Sequence, residues 1–68
     1  MMNRDEKSIY NGYLTKGYLL ECNGEYNDAK YCYTLARDIA VDAEDESAIR
    51  KADDKISECN QKINGREM

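Results

Sequence analysis

Sixty-eight residues, 35% of them charged, with a net charge of −4 and a mean hydropathy of −0.91, allow one small domain with a thin apolar core. The acidic balance argues against nonspecific binding to nucleic-acid phosphates or an anionic membrane surface, and no apolar run approaches the length of a membrane span. Histidine is absent, and neither a Cys-x-x-Cys pair nor a phosphate-loop pattern occurs, so no catalytic or metal motif offers a starting point.

Met1 to Glu6 is polar and is expected to fray, although Asp5 and Glu6 suit the positive end of a helix dipole. No basic-then-apolar segment opens the chain, which leads to the expectation of a soluble, cytoplasmic protein. From Lys7 to Cys22 the positions Tyr13, Gly17 and Leu20 share one helical face, which Ile9 or Tyr10 extends a turn earlier. Gly12 and Gly17 each cost about 1 kcal/mol against alanine inside a helix. Close approach of a second helix accounts for Gly17, whereas Gly12 has no such reason and points to a late helix start.

Asn23 and Gly24 end this segment, since both tolerate left-handed backbone. The stretch from Gly24 to Ala40 then reads as a turn and a helix apolar on two faces. Tyr26, Ala29, Tyr33, Ala36 and Ala40 form one face, and Cys32, Leu35 and Ile39 form its neighbour. A helix of this kind belongs between two others. The short link makes the first two helices an antiparallel hairpin, and the chain offers a third helix to cover the remaining side.

Asp42, Glu44, Asp45 and Glu46 mark the next break, with Ser47 as the expected cap. Along the following helix Ile49, Ala52, Ile56, Cys59 and Ile63 keep three-four spacing. Glu46 with Arg50, and Glu58 with Lys62, fall four apart in the favourable order. Asn64 and Gly65 are expected to close this helix, leaving Arg66 to Met68 as a tail. The fold class is therefore all-α, a three-helix bundle over residues 1–68 with short flexible ends. Its hairpin spans about 5–22 and 26–41, and its third helix about 46–63.

The spacing of Tyr13, Gly17, Leu20, Gly24, Tyr26, Ala29, Tyr33 and Ala36 resembles the tetratricopeptide repeat. It departs at Lys16, where that family usually has leucine, and at Val41, where proline often ends the unit. One period of about 34 residues after Tyr13 and Gly17 stand Ser47 and Lys51, so no second copy follows. The ladder from Gly24 to Ala36 is also similar to the microtubule-interacting and trafficking domain, whose members bind short helical peptides between helices. Both resemblances imply protein binding and neither implies an enzyme.

Asp42, Glu44 and Glu46 alternate as in a calcium loop, with Asp53 twelfth, but Ser47 stands where such a loop needs glycine. A solvated, helix-capping linker is the better account. Asp53 and Asp54 are adjacent and so diverge by about 100° on a helix, which makes a shared acid–base site a poor reading. Cys32 and Cys59 lie on apolar stripes as core residues, while Cys22 sits near a helix end. The six tyrosines exceed what the core requires. Tyr10, Tyr18, Leu19 and Tyr31 are the candidate partner-binding residues, because tyrosine is favoured where an apolar surface also forms hydrogen bonds.

The expected function is a non-enzymatic protein-interaction module that needs no cofactor. It binds a protein partner or self-associates, a dimer in the first instance, through a tyrosine-rich face. The alternative is a small acidic regulator or inhibitor, phage- or mobile-element-encoded, that blocks a basic site on a host protein.

Overall fold

The computed structural model describes residues 1–66. Three helices, α1 (Arg4–Cys22), α2 (Tyr26–Asp42) and α3 (Glu46–Arg66), are joined by residues 23–25 and 43–45. Helix α2 packs against α1 and against α3, giving the all-α three-helix bundle expected from the periodicity. The Cα trace measures 41 × 18 × 12 Å, so the helices form a slab about one layer thick.

Helix α1 starts earlier than Gly12 had indicated, for a local reason. Asn3 accepts from the Glu6 backbone N–H at 2.8 Å, and the Glu6 carboxylate accepts from the Asn3 N–H at 3.1 Å. This reciprocal capping box satisfies two helix-end donors and outweighs the glycine penalty. Residues 1–6, read from the sequence as a frayed end, carry that cap and a further tie: the Met1 ammonium donates to the Ala43 carbonyl at 2.6 Å. Gly17 meets its expectation, since a Cβ built there would lie 2.6 Å from the Tyr33 ring.

Both connections end their helix in the same way. The Gly24 N–H donates to the Glu21 carbonyl and the Glu25 N–H to Leu20, while Glu44 donates to Val41 and Asp45 to Ala40. This crossed pair is the Schellman motif, which needs a left-handed residue just past the helix. Gly24 supplies it at φ +79°, whereas Glu44 is forced into it at φ +54°.

The expected cap of α3 is corrected. Ser47 is exposed, and the Asp45 carboxylate accepts from the Ala48 N–H at 3.2 Å, because Asp45 is the residue that immediately precedes the helix. Asn64 and Gly65 do not close α3, which runs on to Arg66. Of the predicted tail, Glu67 and Met68 lie outside the described residues.

The core divides into two clusters. Tyr10, Ala36, Ala40 and Ala48 occupy one end, and Ala29, Tyr33 and Cys59 the other. Ala52 is fully buried between them in sequence along α3. Around Tyr10 and Tyr33 the buried positions are small, five alanines, Cys32, Cys59 and Gly17, so the backbones approach closely while the larger Leu14, Leu20, Ile39, Ile49 and Ile56 are only partly buried. The α3 stripe is therefore turned one residue from expectation at its start, with Ala48 inside and Ile49 at the edge. Each small side chain buries little area, and burial contributes about 25 cal/mol per Å².

Candidate functional site

Three features stand out from this frame: one buried polar cluster and two surface depressions. The cluster begins at Glu21, the last-turn residue of α1 that lies one turn past Gly17. It is only 8% exposed. The Tyr33 hydroxyl donates to its Oε1 at 2.7 Å, and the Lys62 ammonium donates to its Oε2 at 2.5 Å. The same ammonium stands 5.6 Å from the centre of the Tyr26 ring, a cation–π distance.

The electrostatics follow from that packing. Burial works to raise the Glu21 carboxyl, but the hydrogen bonds from Lys62 and Tyr33 outweigh it and hold the pKa below its ordinary value. Burial, then the bond to Glu21, pushes the Tyr33 phenol well above the tyrosine range. Burial likewise raises the Cys59 thiol, with Glu21 adding to it. The thiol is thus kept protonated and unreactive. Glu21, Tyr33 and Lys62 pair with one another in this cluster, which acts as a clamp that joins all three helices.

The first depression is a groove of about 340 Å³ between α1 and α3. Leu14, Tyr18 and Tyr33 give it apolar walls, and Lys51 and Lys55 supply positive charge from α3. The second is a furrow of about 260 Å³ between α1 and α2, lined by Lys16, Leu20, Asp28, Tyr31 and Cys32.

These features separate the four candidate partner-binding residues. Tyr18 is 56% exposed and lines the α1–α3 groove, while Tyr31, 66% exposed, lines the α1–α2 furrow. Leu19 is 59% exposed, and its place on the helical wheel puts it on the outer side of α1, away from α2. Tyr10, which the sequence offered both as an extension of the core face and as a candidate partner-binding residue, is a core residue. It is 4% exposed, and its hydroxyl donates to the Ala48 carbonyl at 2.9 Å. A tyrosine with its ring in the core and its hydroxyl on a first-turn carbonyl is a structural tie between α1 and α3.

Sequence reasoning missed Glu21, Lys51 and Lys55. Glu21 left a signal, an acid on the same stripe as Gly17 and Tyr10. The two lysines left one as well: like charges four apart repel on an isolated helix, so a shared groove edge gives them a reason. Glu58, expected to pair with Lys62, instead meets Lys55 at 3.6 Å, because Lys62 reaches across to Glu21. Arg37 and Asp53 form a further α2–α3 ion pair at 2.5 Å.

Cys32 and Cys59 are buried and Cys22 is exposed, all three as free thiols. Among the described residues no group of three His, Cys, Asp or Glu side chains is placed to hold a metal ion, and no helix is long and apolar enough to cross a membrane. Comparison with protein-family models, with curated proteins and with solved structures found no match.

Proposed function

We propose that this protein is a non-enzymatic interaction module whose α1–α3 groove takes a segment of another protein. The observation that carries this reading is the composition of that groove. Tyr18 stands more than half exposed beside Leu14, and Lys51 and Lys55 flank it in a chain whose net charge is −4. An apolar strip edged by two cations complements a peptide with apolar side chains and an acidic residue, with affinity from the buried aromatic and selectivity from the lysines. Likeness of the hairpin to peptide-binding helical families, noted on its residues above, points the same way.

A pull-down from the host with the wild-type chain, followed by mass spectrometry, identifies the partner. Tyr18→Ala, or Lys51→Glu with Lys55→Glu, is expected to weaken capture at least tenfold while Tyr31→Ala leaves it unchanged. Equal capture by all three variants sinks the groove reading.

The acidic-regulator reading rests on a different observation. Asp42, Glu44 and Glu46 are exposed together at the α2–α3 turn, while Asp45 is engaged as the cap. Loss of capture on neutralising those three acids, with Tyr18→Ala silent, is the outcome that favours it.

A further inference from the structure

The two helix connections have the same hydrogen bonds and different residues at the left-handed position. In the first, Gly24 adopts φ +79° without a Cβ to clash. In the second, Glu44 holds φ +54°, a conformation in which a side-chain-bearing residue's Cβ crowds the following carbonyl oxygen. Residues 41–47, Val-Asp-Ala-Glu-Asp-Glu-Ser, contain neither glycine nor proline, so nothing in them prevents helix from running straight through. A short, strained hinge between two packed elements is the usual setting for exchange of one element between identical chains.

We infer that the α2–α3 turn is a hinge, and that at high concentration it straightens so that α2 and α3 become one rod and α3 docks on a second copy of this chain. The contacts of α3 with α1 and α2 are remade between chains: Ala48, Ala52 and Cys59 against the other copy's α2, Arg37 with Asp53, Glu21 with Lys62 and Tyr10 with Ala48. Helix α3 is free to leave in this way because it packs on α2, and its hydrogen bonds to α1 among the described residues are Tyr10 to Ala48 and Lys62 to Glu21. The apolar stripes remain usable on a straight rod. Ala40 and Ala48 are eight residues apart, about 80° beyond two full turns, so the stripes of the two halves lie within a quarter turn of each other.

Exchange relieves the Glu44 backbone in both chains. It gives up the Asp45 cap and the Schellman bonds, which regular helical bonds replace. The closed monomer wins at low concentration, because a short linker presents α3 to its own α2 at a millimolar effective concentration. This inference is independent of the groove reading, since it needs none of Tyr18, Lys51 or Lys55.

The test refolds the full chain from urea at micromolar and at millimolar concentration and follows it by sedimentation. Wild type is expected to give a dimer after concentrated refolding. Glu44→Gly, which removes the strain and weakens the straight rod, should lower the dimer association constant at least about a hundredfold, since both effects act at two turns per dimer. The strand of contact is read with an Arg37→Lys chain prepared both unlabelled and nitrogen-15-labelled, mixed, refolded and joined to Asp53 by carbodiimide. Linked peptides that combine one light and one heavy chain support exchange. Absence of any dimer at millimolar concentration overturns it. So does a dimer that Glu44→Gly leaves intact, or one whose linked peptides are all of a single isotope, as contact through an outer face would give.

Discussion

Each end of the slab buries one tyrosine, yet the two hydroxyls are satisfied by different chemistry. At the α1–α2 turn end, Tyr33 lies on Gly17 and donates to a buried carboxylate, Glu21, that Lys62 also holds. At the α2–α3 turn end, Tyr10 donates to a neutral backbone carbonyl, Ala48. The turns differ in parallel. The first has a glycine in the left-handed position, and Glu25, which precedes α2, makes no side-chain cap; the second has strained Glu44 and the Asp45 cap. One end is fixed by side-chain charge and a compliant turn, the other by helix capping around a strained one.

Removing Glu21 breaks this contrast most directly. Glu21→Ala leaves the Tyr33 hydroxyl buried without its acceptor, a loss of about 2–3 kcal/mol, while Lys62, half exposed, turns to water. For a domain of this size that lowers Tm by roughly 10–20 °C in a thermal melt followed by circular dichroism. A drop no larger than that of Tyr10→Phe, about 1 kcal/mol, shows that the two ends are equivalent after all.

A smaller effect sharpens the comparison within α1 itself. Gly17→Ala drives a methyl into the Tyr33 ring and is expected to cost about 1–2 kcal/mol in urea unfolding. Gly12→Ala has open space and gains about 0.5–1 kcal/mol from helix propensity. Opposite signs for two identical substitutions five residues apart separate close packing from backbone entropy.

At the other end, Asp45→Ala removes the cap of α3 and costs about 1 kcal/mol. Glu25→Ala at the corresponding place is close to neutral, because that side chain makes no capping bond. Equal losses from both show that charge near the helix dipole, rather than the hydrogen bond, is what counts.

The gentlest probe is pH. A carboxyl with its folded pKa below the ordinary 4.5 adds stability above that value and gives it up as pH falls through the folded one. Stability should therefore decline below about pH 4.5, and the part belonging to this cluster disappears in Glu21→Gln. In alkali the sign reverses. Burial raises the Cys59 thiol and the Tyr10 and Tyr33 phenols, so each adds stability below its ordinary value, 9.0 or 10.0, and loses it as pH rises further. An unfolding free energy that is flat from pH 8 to 11 contradicts this account of the core.

The helices were legible because helix formation and amphipathic period are properties of neighbours in sequence. The alternation of Tyr26, Ala29, Tyr33, Ala36 and Ala40 required burial on one face whatever covered it, and Gly17 marked a close approach before its partner was known. The surface was less legible. Ile9 and Tyr10 were equivalent extensions of the same stripe, and only the position of α3 turned Tyr10 inward toward Ala48. Glu58 was as good a partner for Lys62 as local spacing offers, until a carboxylate forty-one residues away came closer.

From its residues alone this chain determined three amphipathic helices and the place of Gly24 in the first turn, since those depend on interactions a few residues long. Tertiary structure decided the rest: which tyrosine is buried, that Glu21 becomes a buried anion with two donors, and that Glu44 must take a left-handed backbone. The reason is that desolvation and strain are set by what the neighbouring helix excludes, and one helix cannot specify its neighbour's register.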